Sequence, residues 1–108
     1  MSRNAFAPPD PDRIIHERAR LRILVFLASS EAAEARFTDL RSSLGMTAGN
    51  LSAQLSTLEE AGYIEIRKGF NGRKPFTDVA LTHSGRGALD RYLDEMEGIL
   101  ASLKSMQR

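Results

Sequence analysis

Four cations in eight positions, Arg67, Lys68, Arg73 and Lys74, are the side chains best placed to do chemistry in this 108-residue sequence. Glu65 is the one acid among residues 63 to 77, whereas residues 78 to 108 carry five acids against four basic residues. Lys and Arg so grouped do not make or break bonds; they neutralise phosphates and release counterions. Exposed hairpin edges also carry Lys or Arg to prevent edge pairing, but four in so short a stretch favour a polyanion. The net charge of +1 is silent on the matter, so distribution rather than total charge carries the reading.

Bond-making chemistry finds no support. The sequence has no nucleophile elbow, phosphate loop, metal-ligand cluster or paired carboxylates. Zero cysteines exclude a disulfide framework, a zinc-thiolate site and thiol redox sensing. His16 and His83 are far apart and lack a helical i, i+4 histidine partner, so they read as surface or interface residues rather than ligands or bases. Asp94, Glu95 and Glu97 read as the solvated face of the last helix. The expectation is a binding protein, not an enzyme, with no cofactor and no metal.

The elements that must position the cations follow from capping and periodicity. Residues 1–10, rich in proline, are expected to be a flexible arm without the layout of a secretory signal. Asp10-Pro11 reads as an N-cap and first helical position. Ile14, Ile15, Ala19, Leu21, Leu24, Val25 and Ala28 then recur at helical spacing to about Ser29. After the polar stretch Ser30 to Arg36, Thr38 is expected to cap a short helix Asp39 to Leu44, which Gly45 ends. Thr47 caps the next, 48–61, which turns Leu51, Leu55 and Leu58 inward before Gly62 stops it. Two short helices joined by a glycine-containing turn are the helix-turn-helix layout.

Tyr63 to Arg67 and Asp78 to Leu81 alternate with period two and read as strands, with Asn71-Gly72 as the tight turn between them. Thr82 caps a final helix from about His83 to Met106. Its Leu89, Leu93, Met96, Leu100 and Leu103 follow 4-3-4-3 spacing, widened by Tyr92, Ile99 and Met106. That stripe is too broad for one face of packing, so part is expected to cover the first helix and part to pair with a second subunit. Gly98 within it either permits close helix crossing or is a tolerated defect.

This element order, with the segments His16–Leu24 (HERARLRIL), Asn50–Ile64 (NLSAQLSTLEEAGYI), Arg67–Pro75 (RKGFNGRKP) and Leu81–Gly85 (LTHSG), resembles small MarR/ArsR-like winged-helix transcriptional regulators over about residues 12 to 100. The chain lacks the cysteine ligands of metal-sensing ArsR repressors, and it is shorter than typical MarR proteins. The implied fold is α+β, mainly α: a winged helix-turn-helix in residues 11–82, with a two-stranded hairpin wing, and a long dimerisation helix in 83–108.

The implied function is a homodimeric regulator, a repressor rather than an activator, reading a palindromic operator. Helix 48–61 would enter the major groove and wing 67–76 would lie on the backbone or minor groove. A wheel at 100° per residue sets Gly49, Ala53 and Ser56 opposite the buried leucines, flanked by Asn50, Ser52 and Thr57. Asn50 and Ser52 are the expected readers of base edges. Gln54, nearer the buried edge, either reaches adenine or packs against the preceding helix. Thr47, Ala48 and the first-turn amides would meet a phosphate, and Arg67, Lys68, Arg73 and Lys74 would add electrostatic affinity. Dimer contacts are expected from Leu89, Tyr92, Leu93, Met96, Ile99, Leu100 and Leu103. An unidentified small-molecule effector would bind between the first and last helices, where no polar cluster marks a pocket. The longest apolar run, Ile23 to Ala28, is far below the roughly 18 residues of a membrane span, and the cytoplasm is the expected location. The alternative is a winged-helix module that docks on an acidic protein.

Overall fold

A computed structural model of the chain describes residues 12–107; the expected arm, 1–10, and the Asp10-Pro11 cap lie outside them. In chain order the elements are α1 (Arg18–Ala28), β1 (Glu34–Arg36), α2 (Phe37–Leu44), α3 (Ala48–Glu60), β2 (Ile64–Asn71), β3 (Lys74–Leu81) and α4 (His83–Met106).

The first helix begins later than the apolar spacing predicts. Asp12 folds the preceding segment into a turn, its Oδ1 accepting from the amides of Ile14 at 2.9 Å and Ile15 at 3.3 Å. Ile15 enters the core from that turn with no exposed surface. Glu17 is then extended (φ −149°, ψ 131°) and caps α1 by accepting from the Arg20 amide. The helix buries Ile23, Leu24 and Leu27; Val25, expected on the inward stripe, is 41% exposed.

Residues 34–36, within the stretch expected to be a polar connection, form a strand that periodicity does not reveal. β1 is three residues long and pairs antiparallel with β3, Glu34 opposite Ala80 and Arg36 opposite Asp78. The sheet order is β1-β3-β2, so the wing hairpin β2–β3 gains a third strand at its base. This strand also moves the start of α2 forward to Phe37, placing Thr38 inside the helix rather than at its cap.

The turn between α2 and α3 follows its residues closely. Gly45 adopts φ +65°, which costs little without a Cβ. Its N–H reaches the Ser42 carbonyl and the Met46 N–H the Arg41 carbonyl, closing the helix end. Thr47 Oγ1 then accepts from the Asn50 amide at 3.1 Å and starts α3. The wing turn differs from expectation by one residue. Strand pairing runs out to Asn71 opposite Lys74, so Gly72 and Arg73 are the two central residues. Gly72 alone of the two has positive φ (+68°), the pattern of a II′ hairpin turn with glycine first.

Core side chains come from every helix and from β2 and β3: Leu40 of α2, Leu51, Leu55 and Leu58 of α3, Ile64, Val79, and Ala88, Leu89 and Tyr92 of α4 join those of α1. Only the first half of α4 is therefore part of the protomer core. Beyond it the helix carries Leu93, Ile99, Leu100, Leu103 and Met106 at exposures from 44% to 80%. None of the described helices is long and apolar enough to cross a membrane.

Candidate nucleic-acid interface

With Leu51, Leu55 and Leu58 locked into the core, α3 turns Ala48, Gly49, Asn50, Ser52, Ala53 and Ser56 to solvent, and Thr47 stands exposed at its cap. No side chain on that face is charged or large, so the helix axis can approach a groove floor closely and present hydroxyls and an amide to base edges. Thr57 is half-buried and bonds back to the Ala53 carbonyl at 3.4 Å.

Gln54 is half-buried and engaged by α1: its Oε1 accepts from Arg20 Nη1 at 2.8 Å, and its Nε2 donates to Asn50 Oδ1 at 3.2 Å. Arg20 is itself held by donating from Nε to the Ile14 carbonyl at 2.7 Å. With the amides oriented as these bonds require, the relay Ile14–Arg20–Gln54–Asn50 fixes the Asn50 carboxamide and leaves its NH2 group outward. Gln54 is thus held by α1 rather than by the preceding helix, α2. Arg20 is a residue that sequence reasoning missed, because its partner lies 34 positions away and nothing local marks the pair.

The wing divides its cations between two faces, since alternate residues of a strand point to opposite sides. Ile64, Ile66, Lys68 and Phe70 share the side facing α3. Lys68 lines a cleft of about 310 Å³ together with Ser52, Ser56, Glu59 and Ile66, so one wing cation and the exposed hydroxyls of α3 border the same space. Glu59 accepts the Ile66 amide there at 3.3 Å and ties α3 to the base of the wing.

Arg67 points the other way, to the face that Lys74 also shares, so the four cations do not form one group. Its guanidinium bonds Glu65 Oε1, with Nη2 at 2.8 Å and Nε at 2.9 Å, and Glu34 Oε2 at 3.2 Å. The hydrogen bonds it donates to Glu65 and that carboxylate's charge hold the guanidinium more firmly protonated than usual. Its charge is nonetheless answered by two carboxylates. Beside it Arg36 pairs with Asp78 at 2.7 Å and stacks over the Phe76 ring at 4.4 Å. Lys68, Arg73 and Lys74 form no ion pair among the described residues. Arg73 sits in the turn itself, and Lys74 borders the outer cleft that also contains Asp39 and Asp78.

The expected dimer set is also divided. Leu89 and Tyr92 are 2% and 5% exposed inside the protomer, so they cannot serve a subunit contact. Met96 packs half-buried against the core. Leu93, Ile99, Leu100 and Leu103 remain outward, and nothing lies within 4 Å of a methyl group built on Gly98. His16 is exposed, its Nδ1 2.8 Å from the Tyr92 hydroxyl; His83 is exposed at the start of α4. The Tyr63 hydroxyl donates to Asp12. That bond, burial and the nearby carboxylate charge raise its pKa, so it stays a neutral donor.

A helix-turn-helix whose second helix shows a small, uncharged polar face, next to a hairpin with cations at its tip, is a winged-helix module. Comparison with known proteins places it further: residues 19–100 match the family described as "Winged helix DNA-binding domain", and the chain belongs to that family. An uncharacterized protein of Methanocaldococcus jannaschii is 33% identical over 84 residues, spanning 78% of this chain and 89% of its own. The solved transcriptional regulator homologue protein from Pyrococcus horikoshii OT3 superposes with a TM-score of 0.76 at 28% identity, covering 83% of this chain and 87% of that one. A MarR family transcriptional regulator from Streptomyces coelicolor, solved in complex with DNA, shares the fold at a TM-score of 0.66 and 22% identity, covering 90% of this chain and 71% of that one. The winged-helix DNA-binding resemblance read from the sequence agrees with the family, and the fold is one that solved MarR family regulators share.

Proposed function

We propose that the chain binds double-stranded DNA with sequence preference as a homodimer and represses transcription by occupying a palindromic operator in the cytoplasm. α3 lies in the major groove, with Asn50 and Ser52 reading base edges and Thr47 and the first-turn amides meeting a phosphate. Lys68 and Arg73, with Lys74 behind the tip, contact the adjacent backbone or minor groove. The observation that carries this reading is the shared cleft: the exposed hydroxyls of α3 and Lys68, which has no ion pair among the described residues, border one space, while Arg67 is paired with two carboxylates on the far side. The DNA-bound Streptomyces relative of the same fold supports it.

Pairing is supported by the outer half of α4, where Leu93, Ile99, Leu100 and Leu103 are all more than two-fifths exposed. A second copy would bury them, and two-fold symmetry would double the groove contacts. Repression is the output that needs occupancy alone.

Gel shift on mixed genomic duplexes across a salt series tests the reading. Two to three wing cations per protomer neutralise roughly four to six phosphates per dimer, giving a log K against log salt slope of about −4 to −5. Absence of duplex binding at low salt would refute it and favour docking on an acidic protein.

A further inference from the structure

The wing carries two phenylalanines, and the fold uses only one. Phe76, on the outer face, lies between the Arg36 guanidinium and the backbone of Gly69: a methyl on Gly69 would sit 2.7 Å from its ring tip. Phe70 has no such role. It is 73% exposed, next to the turn, directly opposite the exposed Pro75. Its side is that of Ile64, Ile66 and Lys68, the side facing α3, and strand geometry carries it about 7 Å beyond Lys68 toward the tip. A large aromatic ring left in water on a two-stranded support forgoes its burial energy in the free protein. Its surroundings define what could cover it. Lys68 shares its face and Arg73 sits in the turn beside it, both without ion pairs among the described residues, while Lys74 lies on the opposite face at the outer cleft. An apolar protein surface over Phe70 would have to desolvate Lys68 and Arg73, whereas a DNA minor groove offers phosphates to these cations and base edges to the ring.

We infer that Phe70 is an apolar wedge which the wing inserts at the minor-groove side of a flexible base step flanking the site read by α3. The inference rests on the DNA-binding reading and deepens it. Apolar side chains that enter between base steps unstack them and kink the duplex, and pyrimidine–purine steps such as TA and CA yield most readily. Phe70 therefore selects sequence by deformability at a position where no hydrogen bond reads a base. Asn50 and Ser52 read the half-site itself.

The test uses the full chain and a pool of 40-bp duplexes with randomised centres, selected in parallel by the wild type, Phe70→Ala and Phe70→Leu, and sequenced. At 73% exposure Phe70 contributes little to the fold, and thermal melts check that both variants are intact. The wild type is expected to enrich TA or CA steps at a fixed distance on each side of the half-site pair. Phe70→Ala should lose that enrichment while keeping the half-site consensus, and Phe70→Leu should keep part of it. On a selected duplex, Phe70→Ala should bind about tenfold more weakly, the effect of one misread base pair, and a stiff A-tract in place of the step should abolish the difference. 2-Aminopurine placed at the step should brighten on wild-type binding and stay dark with Phe70→Ala. Equal flank preference, or an equal 2-aminopurine signal, in wild type and Phe70→Ala overturns the wedge and leaves DNA binding standing. A wild type that selects no duplex at all overturns both.

Discussion

Replacing Gly85 with alanine should destabilise the protein although alanine is the better helix former. A Cβ at this position would lie 2.1 Å from the carbonyl oxygen of Tyr63 and 2.9 Å from both its carbon and Leu81 Cδ1. The oxygen cannot yield cheaply, because it accepts the Thr82 amide at 3.1 Å. Thr82 Oγ1 in turn donates to the Gly62 carbonyl at 2.7 Å and accepts the Gly85 amide at 2.9 Å. Any retreat of α4 breaks its own N-cap, worth about 1 kcal/mol. Overpacking against backbone adds roughly 1–3 kcal/mol, and the helix preference of alanine returns at most about 1 kcal/mol. The net loss is about 1–3 kcal/mol, a fall in Tm of roughly 5–20 °C for a domain of this size. Gly87→Ala is the matched control, since a methyl there meets only the mobile Arg91 guanidinium at 3.3 Å and should stabilise by about 0.5–1 kcal/mol. Urea unfolding followed by helix circular dichroism, at one protein concentration, reads both. Gly85→Ala as stable as the wild type would refute the reasoning. Tyr63 connects α3 to β2, so this contact also sets the angle between α3 and the wing.

Arg73→Ala should weaken binding to all duplexes and lower the salt slope by about 2 per dimer, whereas Asn50→Ala or Ser52→Ala should shift preference among sequences; equal loss of specificity in both classes counts against the division. Lys68→Ala should weaken DNA binding several-fold more than Arg67→Ala, because Arg67 is already paired with Glu34 and Glu65; gel shift at constant salt compares them. Leu100→Glu, at a site 53% exposed in the protomer, should turn a sedimenting dimer into a monomer without unfolding it, and a wild type that is monomeric at micromolar concentration sinks the pairing argument. The raised pKa of Tyr63 comes first from its bond to Asp12, so the folded state holds that proton more tightly than the unfolded one. The associated stability is present below the ordinary tyrosine pKa of about 10 and is lost as pH rises through the folded value. Tyr63→Phe should remove that alkaline loss, and phenolate absorbance in the folded and urea-unfolded chain measures the shift.

The helix-turn-helix was legible because its signals are local. Gly45 ends α2, Thr47 caps α3, and Leu51, Leu55 and Leu58 repeat at one face, all within a few residues of where they act. Thr82 and the run to Met106 gave the bounds of α4 for the same reason. Where capping groups compete, local reading failed: Asp12 and Glu17 together displace the start of α1 to Arg18, and no spacing rule ranks one acceptor over another. β1 was hidden because Glu34-Ala35-Arg36 becomes a strand only through pairing with β3.

The site divides along the same line. Sequence alone determined that α3 has a small polar face, that the cations cluster on the hairpin and that the last helix is apolar over more than one side, because these follow from residue type and period. Only the tertiary structure decided that Arg67 is neutralised by Glu34 across the sheet, that Arg20 holds Gln54 and through it Asn50, and that Leu89 and Tyr92 belong to the protomer core while Leu100 and Leu103 do not. Those outcomes depend on which distant side chains share a face once strands register and helices pack, and a linear pattern carries no such pairing.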